Sequence, residues 1–233
     1  MIREQLKRFA LRHEKILSIY RKSLGKIKTK YYFNMQSAAL QRDGKTIIQK
    51  IDAALTNAHA NYFVDCGTLL GMIRDKKLIQ FDRDVDMGIW FNDSFGLPEL
   101  DAAMKQVGYK KVSTSFYRGE PKEITYSKGV LHIDFFVHTE VGNESWLYVF
   151  YRNALNQYPS NKHYSLIVQK RAHIPNVKRV TIEGITMNIP ENTEEYLESA
   201  YSDKWRIPDP DWRYTMEPGC TFIDNEYGIK EIY

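Results

Sequence analysis

Apolar residues recur along this chain with two different periods, which predict both helices and strands. Between Met1 and Tyr20 they are spaced three, four or six residues apart, as on one face of a helix. A second helix is predicted over Ser37–Asn61, and two more over Leu97–Val107 and Asn192–Tyr201. Elsewhere the apolar period shortens to two, which is typical of strands.

The regions of alternating apolar and polar residues predict short strands joined by loops. A Gly-Thr turn and a short helix over Leu69–Asp75 follow the first strand, and a loop over Lys76–Asp82 leads into the second. The predicted strands span Tyr62–Asp65, Arg83–Phe91, Val112–Tyr117, Glu123–Tyr126 and Val130–Val137. Residues 146–189 are predicted as further strands and loops, and the last thirty as mostly irregular, because prolines interrupt them. These elements predict an α+β fold, with a mixed sheet flanked by helices.

The length of 233 residues suits one large domain with appendages. We predict a basic helical arm over residues 1–36, a globular domain over residues 37–210 and an irregular C-terminal tail over residues 211–233. No apolar run approaches the roughly 20 residues of a membrane-spanning helix, and we expect neither such a helix nor a secretory signal peptide. Cys66 and Cys220 are isolated from each other and form no CxxC pair, which favours a reducing, cytoplasmic compartment.

Positive charge is concentrated in the N-terminal arm. Residues 1–30 contain ten Lys and Arg against two Glu, a net charge of +8, whereas the rest has 23 basic and 27 acidic residues, a net charge of −4. Such an arm can rest on the inner face of an anionic membrane or bind a lipid-linked acceptor. It can also be a solvated helix packed on the domain or on a second subunit. No RNA-binding signature accompanies the charge, so we do not expect a nucleic-acid partner.

Asp84 and Asp86 occupy alternate positions of a predicted strand, so their side chains share one face, with Cα atoms about 6.5 Å apart. Two carboxylates on one face repel each other unless a proton or a cation lies between them. Magnesium or manganese fits, because these hard cations take carboxylate and phosphate oxygens together. The alternative is a solvent-exposed acidic strand at a sheet edge.

Asp134 is a third acidic residue, in the middle of the apolar strand LHIDFFVH, where it is costly unless it serves as a metal ligand or a base. Upstream of the Asp pair, Gly67 allows close backbone approach to a phosphate, and Thr68 can cap a helix whose N-terminus favours anions. Together these features indicate a nucleotidyltransferase-like catalytic domain. They predict metal-dependent phosphoryl-group transfer, with Asp84, Asp86 and Asp134 as catalytic and metal-binding residues.

Three basic residues are candidates for binding the phosphates of a donor. Arg74 follows the Gly-Thr turn and could reach a phosphate as a fork of donors, or form a salt bridge to Asp82 or Asp86. Lys170 and Arg171 belong to a basic stretch between Lys162 and Arg179. This stretch could clamp a donor diphosphate or an acidic glycan, or be a solvated surface.

Two sequence blocks resemble the LicD/fukutin family of phosphotransferases. The first reads D-C-G-T-L-L-G-M-I-R and then I-Q-F-D-R-D-V-D-M-G-I, where family members typically have D-x-G-T-L-L-G-x-x-R and I-P-W-D-x-D-x-D-x-G. In H-I-D-F-F, Asp134 occupies the position of the family's third acidic strand residue. Gln80 and Phe81 replace the usual Pro-Trp, and Ser202 replaces the usual Gly, which leaves the exact substrate open. The second block comprises Ile189, Pro190, Glu195, Tyr196, Leu197, Tyr201, Trp205 and Pro208.

The resemblance implies transfer of a phosphocholine, phosphoglycerol or phosphoribitol group from a CDP-linked donor to a sugar hydroxyl, with release of CMP. The acceptor would be a glycan of a surface polysaccharide, such as a capsule, or of a lipooligosaccharide, and could be lipid-linked. Mg²⁺ or Mn²⁺ would be the cofactor. For a choline group, aromatic residues could form a cage, or they could be plain core. The candidates are Tyr62, Phe81, Trp90, Phe136, Tyr148 and Tyr151.

Other functions fit the same residues. The domain could be a nucleotidyltransferase that moves NMP from an NTP onto a protein, sugar or RNA. It could also be a non-catalytic module that binds a glycan or a lipid carrier. A glycosyltransferase of the DxD type fits less well, because no longer nucleotide-binding half precedes the motif.

Overall fold

The computed structural model describes residues 14–153 and 156–233, with side chains described from residue 28 onward. The predicted helix over Met1–Tyr20 lies largely outside this part of the chain. The first described element is helix α1, Glu14–Asn57, of 44 residues. It runs without interruption across the boundary predicted at residues 36 and 37, and the division into domains stays a prediction.

Strands and short helices follow α1. The helices are α2 (Cys66–Leu70), continued by a π-helical turn over Gly71–Asp75, then α3 (Leu97–Gln106) and α4 (Thr193–Tyr201), with a 3₁₀ turn at Tyr214–Met216. The strands are β1 (Asn61–Val64), β2 (Asp84–Trp90), β3 (Lys110–Tyr117), β4 (Glu120–Lys128), β5 (Leu131–Val137), β6 (Thr139–Val141), β7 (Glu144–Tyr151), β8 (His163–Ala172), β9 (Val177–Ile182), β10 (Ile185–Pro190) and β11 (Cys220–Ile232).

Nine of these strands form one mixed sheet in the order β1-β2-β5-β4-β3-β11-β8-β7-β6, and β9 and β10 form a separate hairpin. In the large sheet β2 and β5 run parallel, and the other neighbours run antiparallel. The sheet curls, so that His138 after β5 reaches Ser145 on β7, with 2.8 Å between Nδ1 and Oγ. The predicted α+β fold with a mixed sheet and flanking helices is confirmed.

The main core lies between α1 and one face of this sheet. Alternation along β2 directs Val85, Met87 and Ile89 into it, where they join Ile51 and Leu55 of α1. Burial of such side chains is the main stabilising term of a fold of this size. The opposite face of β2 is therefore left to polar residues, among them the predicted acidic pair.

The irregular C-terminal tail predicted for residues 211–233 is wrong for most of its length. Strand β11 pairs with β3 on one side and with β8 on the other, inside the sheet. Of its 13 residues, only Gly228 is buried. The strand is held by backbone hydrogen bonds on both edges, so it lacks the apolar alternation that identifies a strand in a sequence.

In the described part of the chain, no helix is long and apolar enough to cross a membrane.

Candidate active site

The three predicted aspartates lie on two adjacent parallel strands. Asp84 and Asp86 alternate with buried Val85 along β2 and are half-buried themselves. On β5, Asp134 is directly opposite Asp86 in the register of the two strands. Strand pairing therefore brings all three carboxylates to one face of the sheet, although Asp134 is far away in the sequence.

The Gly-Thr turn is bound directly to the acidic strand. The Gly67 amide donates to Asp86 Oδ2 at 3.1 Å, and the Asp86 amide donates to Thr68 Oγ1 at 2.9 Å. Thr68 is buried within α2, and the residue that caps this helix is Asp65, whose Oδ1 accepts from the Cys66 amide at 2.7 Å. The prediction that Thr68 caps the helix is therefore wrong, because its hydroxyl is committed to β2.

A fourth carboxylate, that of Asp82, belongs to the same cluster. A Cβ atom added at Gly67 would lie 2.9 Å from Asp82 Oδ2 and 3.5 Å from Asp86 Oδ2. Glycine thus leaves the space in which these two carboxylates approach the turn. From the sequence, Asp82 was considered only as a salt-bridge partner of Arg74. The alternation D-R-D-V-D, however, already predicts that Asp82 shares a face with Asp84 and Asp86.

Burial and mutual repulsion raise the pKa values throughout this acidic cluster, which comprises Asp82, Asp84, Asp86 and Asp134. Burial and then the charge of Asp84 raise the pKa of Asp82 to about 7. Burial, together with Glu123 and Asp84, raises the pKa of Asp134 to about 7. For Asp86 the pKa rises well above its usual range, because burial is compounded by Asp84 and Asp134. Burial also raises the pKa of Asp84.

Nearby cations offset the charge of the acidic cluster only in part: Arg83 and Arg74 lower the pKa of Asp82, and Arg83 that of Asp84, but burial outweighs them. Within residues 28–153 and 156–233, no Lys, Arg or His side chain forms an ion pair with any of its four carboxylates. Asp134 accepts a hydrogen bond of 2.5 Å from Thr125 Oγ1. Clustered carboxylates without a cationic partner are costly unless protons or metal ions neutralise them.

The donor set fits magnesium bound together with a phosphate ligand. In the described part of the chain, no three His, Cys, Asp or Glu side chains already surround a single ion position. A closed protein cage of the structural zinc type is thus not what these residues form. Mg²⁺ instead takes one or two carboxylates and completes its shell with phosphate oxygens and water. Asp84 and Asp86, which share a face, match that requirement.

Behind the turn, a buried network holds Asp65 in place. Its Oδ1 accepts from Arg171 Nη1 at 3.0 Å and from the Tyr196 hydroxyl at 2.8 Å. His138 Nε2 lies 2.9 Å from Asp65 Oδ2. Burial opposes ionisation of Asp65, but the charge of Arg171 and the hydrogen bond with His138 outweigh it and hold its pKa well below the usual range. The network was missed at the sequence level, although Asp65 opens the D-C-G-T motif.

Two of the three predicted phosphate-binding residues are already engaged with protein carboxylates. Arg74 forms a bidentate pair with Asp75, at 2.9 and 2.8 Å, rather than a salt bridge to Asp82 or Asp86. Arg171, with its side chain 2% exposed, donates to Glu217 through Nε at 2.7 Å and Nη2 at 3.1 Å.

Lys170 neighbours Arg171 on β8, and its ammonium lies over the Trp146 ring, 4.9 Å from the centroid. Alternation along β8 directs the Lys170 and Arg171 side chains to opposite faces of the sheet. The two residues therefore cannot act as one clamp.

The six aromatic residues considered for a cage are not gathered at one place. Tyr62 is buried in the main core and donates from its hydroxyl to Asp52 Oδ1 at 2.6 Å. Tyr148 belongs to a separate apolar cluster with Tyr117. Phe81 is exposed on the loop before β2. Tyr62, Tyr148 and Phe81 thus lie in three different environments, which disfavours a cage built from all six residues.

The mixed sheet, the Gly-Thr turn and the paired carboxylates define a domain of the nucleotidyltransferase class. A family model described as LicD/FKTN/FKRP, nucleotidyltransferase domain, matches residues 59–192, which is more than half of the 233 residues. The chain belongs to this family. The resemblance found in the two sequence blocks is thereby confirmed.

Curated relatives match over a similar region at low identity. The human protein named Ribitol-5-phosphate transferase FKTN is 23% identical over 193 residues, covering 79% of this chain and 38% of the relative. Its mouse counterpart is 22% identical over 191 residues, with the same coverage. An uncharacterized protein of Rickettsia typhi is 35% identical over 63 residues, covering 27% of this chain and 20% of the relative. The chain thus spans less than half the length of these relatives.

Among solved structures, the crystal structure of ANT(2")-Ia in complex with adenylyl-2"-tobramycin matches with a TM-score of 0.43 and 14% identity. The match covers 74% of this chain and 83% of that chain.

Proposed function

We propose that this chain is a metal-dependent phosphotransferase that modifies a glycan. In this proposal it transfers a phospho-substituted group from a CDP-linked donor to a sugar hydroxyl and releases CMP. Membership of the family supports a transferase, and the FKTN relatives, named for ribitol-5-phosphate transfer, support a donor of the phosphopolyol type. A surface polysaccharide or lipooligosaccharide, free or lipid-linked, is the proposed acceptor.

One observation supports this proposal more than any other. The acidic cluster places Asp82 and Asp86 beside the Gly67 turn and Asp84 and Asp134 next to them on β2 and β5, with raised pKa values and, among the described residues, no ion-pair partner. A fold selected for stability alone gains nothing from such an arrangement. A divalent cation that arrives with a polyphosphate donor would neutralise it, which links binding of the metal to binding of the donor.

The acidic pair of β2 and the Gly-Thr turn have separate roles in the proposed reaction. Asp84 and Asp86 would hold Mg²⁺ or Mn²⁺, which, when bound, neutralises and aligns the phosphates of the donor. Gly67 keeps open the space beside Asp82 and Asp86 in which the donor would lie. Thr68, through its hydroxyl, fixes the turn to β2 and thereby fixes the distance between the turn and the two carboxylates.

Asp134 is the proposed general base. Its Oδ1 is held by Thr125, and its pKa of about 7 suits a group that accepts a proton near neutral pH. The acceptor hydroxyl would lose its proton to Asp134 while its oxygen forms a bond to the phosphorus atom that bears the substituent. The bond from that phosphorus to the bridging oxygen breaks, and CMP leaves with the bridging oxygen.

The test is product analysis with alternative donors. The protein is incubated with Mg²⁺, simple methyl glycosides and CDP-choline, CDP-glycerol or CDP-ribitol, and in parallel with each NTP. We expect CMP to accumulate with a CDP-linked donor. Pyrophosphate release from an NTP, without CMP release from any CDP-linked donor, would instead establish a nucleotidyltransferase.

Variants of the acidic pair test the assignment of the metal site. Asp84→Asn and Asp86→Asn should each lower turnover at least about 100-fold, because a metal ligand is lost. Asp93→Asn, which changes an exposed carboxylate beyond the opposite end of β2, is the control and should be fully active. If both Asn variants kept their activity, or if the control lost it equally, the assignment of the metal to Asp84 and Asp86 would be contradicted.

A further inference from the structure

An apolar ridge projects from the domain beside the acidic cluster. It is formed by Tyr31, Tyr32, Phe33 and Met35 of α1 and by Phe81 of the loop before β2. Tyr31 is 68% exposed and Phe81 is 79% exposed. The four α1 residues lie within five consecutive positions and point to more than one side of the helix, and Phe81 lies on the loop that this part of α1 holds. Exposed large apolar side chains concentrated in one region mark a place where something binds.

Two hydrogen bonds and one cation–π contact hold the ridge residues of α1 and the loop before β2 together. Ser37 Oγ donates to the Phe81 carbonyl at 3.2 Å, and Gln41 Nε2 donates to the Ile79 carbonyl at 2.9 Å. Phe33, one turn before Ser37, lies under the Arg83 guanidinium, 4.0 Å from its carbon to the ring centroid. One stripe of α1 thus fixes the loop 76–83 against the helix.

The same contacts place the ridge at the entrance of the proposed active site. Arg83 directly precedes Asp84, and the Tyr32 hydroxyl lies 3.3 Å from His132 Nε2. His132 is opposite Asp84 in the register of β2 and β5. A surface that covered the ridge would therefore lie next to the acidic cluster.

Positive charge surrounds the ridge. Lys28 and Lys30 precede the aromatic residues on α1, and Lys76, Lys77 and Arg83 belong to the loop that α1 holds. In the sequence, residues 1–30, which include these two lysines, contain ten Lys and Arg against two Glu. Tyrosine and phenylalanine next to lysine and arginine are the side chains that settle at the boundary between lipid headgroups and acyl chains.

We propose that the apolar ridge docks the protein on an anionic membrane surface and thereby presents the acidic cluster to an acceptor at that surface. Apolar side chains enter the headgroup region, and the surrounding Lys and Arg side chains contact anionic headgroups. The docking surface goes beyond the proposed reaction and does not depend on its donor. It is therefore tested without any substrate.

The experiment measures binding of the full chain to vesicles by cosedimentation. Vesicles of phosphatidylcholine are compared with vesicles that also contain phosphatidylglycerol, at low and high salt. We expect binding to the anionic vesicles alone, weakened by salt. The double variant Tyr31→Ser, Phe81→Ser should bind at least about tenfold more weakly, because two exposed aromatic side chains no longer enter the lipid.

The matched control is Phe222→Ser, Ile232→Ser, which removes two exposed apolar side chains of β11. It should bind as the unchanged protein does, and both double variants should melt at the same temperature as the unchanged protein. Failure of the unchanged protein to bind anionic vesicles would overturn the proposal, as would equal binding by the ridge variant. A dimer in light scattering that the ridge variant dissociates, without vesicle binding, would assign the ridge to a second copy of the chain.

Discussion

Asp65, directly after β1, lies beside Asp86 of β2, yet the two carboxylates have opposite electrostatic environments. The Asp65 amide donates to the Asp86 carbonyl at 3.0 Å, so the two backbones are adjacent. Arg171, Tyr196 and His138 surround the Asp65 carboxylate, whereas other carboxylates surround that of Asp86. The pKa of Asp65 is held well below its usual range, and that of Asp86 is raised well above it.

The contrast separates a carboxylate that supports the fold from one that we propose to bind a metal ion. Asp65 is complete without any ligand, and its role is to cap α2 and fix the start of the Gly-Thr turn. The carboxylate of Asp86 lies among other carboxylates, and a cation bound as proposed above would relieve that repulsion. A rigid, satisfied carboxylate next to an unsatisfied one is the arrangement expected where a site is preorganised by its supporting residues.

Replacing Arg171 should give the largest effect on stability. Arg171→Met leaves Asp65 and Glu217 buried without their shared cation, which should lower the free energy of unfolding by about 3–5 kcal/mol. For a chain of this size that corresponds to a fall in melting temperature of roughly 10 °C. Urea and thermal unfolding followed by circular dichroism measure both quantities.

Lys170→Met is the control for this experiment, because Lys170 lies on the opposite face of β8 and contacts Trp146. It should cost about 1 kcal/mol or less. If Arg171→Met were as stable as the unchanged protein but bound CDP poorly, Arg171 would be a clamp on the donor and not a support for Asp65.

Neutralising the two contrasted aspartates should change stability in opposite directions. Asp65→Asn should lower the free energy of unfolding by about 2 kcal/mol, since charged hydrogen bonds to Arg171 and Tyr196 are weakened. Asp86→Asn should raise it by about 1 kcal/mol, because burial and the neighbouring carboxylates make ionisation of Asp86 costly and the amide does not ionise. Denaturant titrations without divalent cations decide the sign, and a loss in both variants would contradict the contrast.

The pH dependence of stability should be pronounced near neutral pH and should come from the acidic cluster. The pKa values of Asp82 and Asp134 are about 7 in the folded state, above the value near 4 of an unfolded chain. A raised carboxyl pKa adds stability that is fully present below the unfolded pKa and is lost as the pH rises through about 7. We therefore expect the melting temperature to fall by on the order of 10 °C between about pH 5 and about pH 8.

Two comparisons test whether the acidic cluster causes this decrease in melting temperature. Asp82→Asn should show a smaller decrease over the same range, because one of the two titrating groups is gone. Added MgCl₂ should raise the melting temperature of the unchanged protein more at the higher pH, where the carboxylates are ionised. An increase that is independent of pH would indicate that Mg²⁺ stabilises the chain elsewhere.

The sequence was sufficient for the elements whose residues alternate or repeat with a clear period. Strands β2 and β5 were predicted to within a residue or two at each end, because their apolar residues face a core. That alternation also assigned Asp84, Asp86 and Asp134 to faces, and the register of the two strands then brought them together.

Interactions between distant residues could not be predicted in this way. Arg171 stands in a basic stretch that resembles a solvated surface, and its partners Asp65 and Glu217 are 106 and 46 residues away. Strand β11 depends on backbone pairing with β3 and β8, and its mostly exposed side chains carry no periodic signal. In both cases the residue or strand depends on partners that are distant in the sequence, so the local pattern does not reveal its role.

The position of β11 in the sheet has a consequence for synthesis of the protein. Strands β3 and β8 are complete long before β11 emerges from the ribosome, yet they meet only through it. Until then each of them presents an open edge to which a strand of another chain can pair. The nascent protein is therefore most exposed to aggregation, and most in need of a chaperone, in the interval just before its last described strand is made.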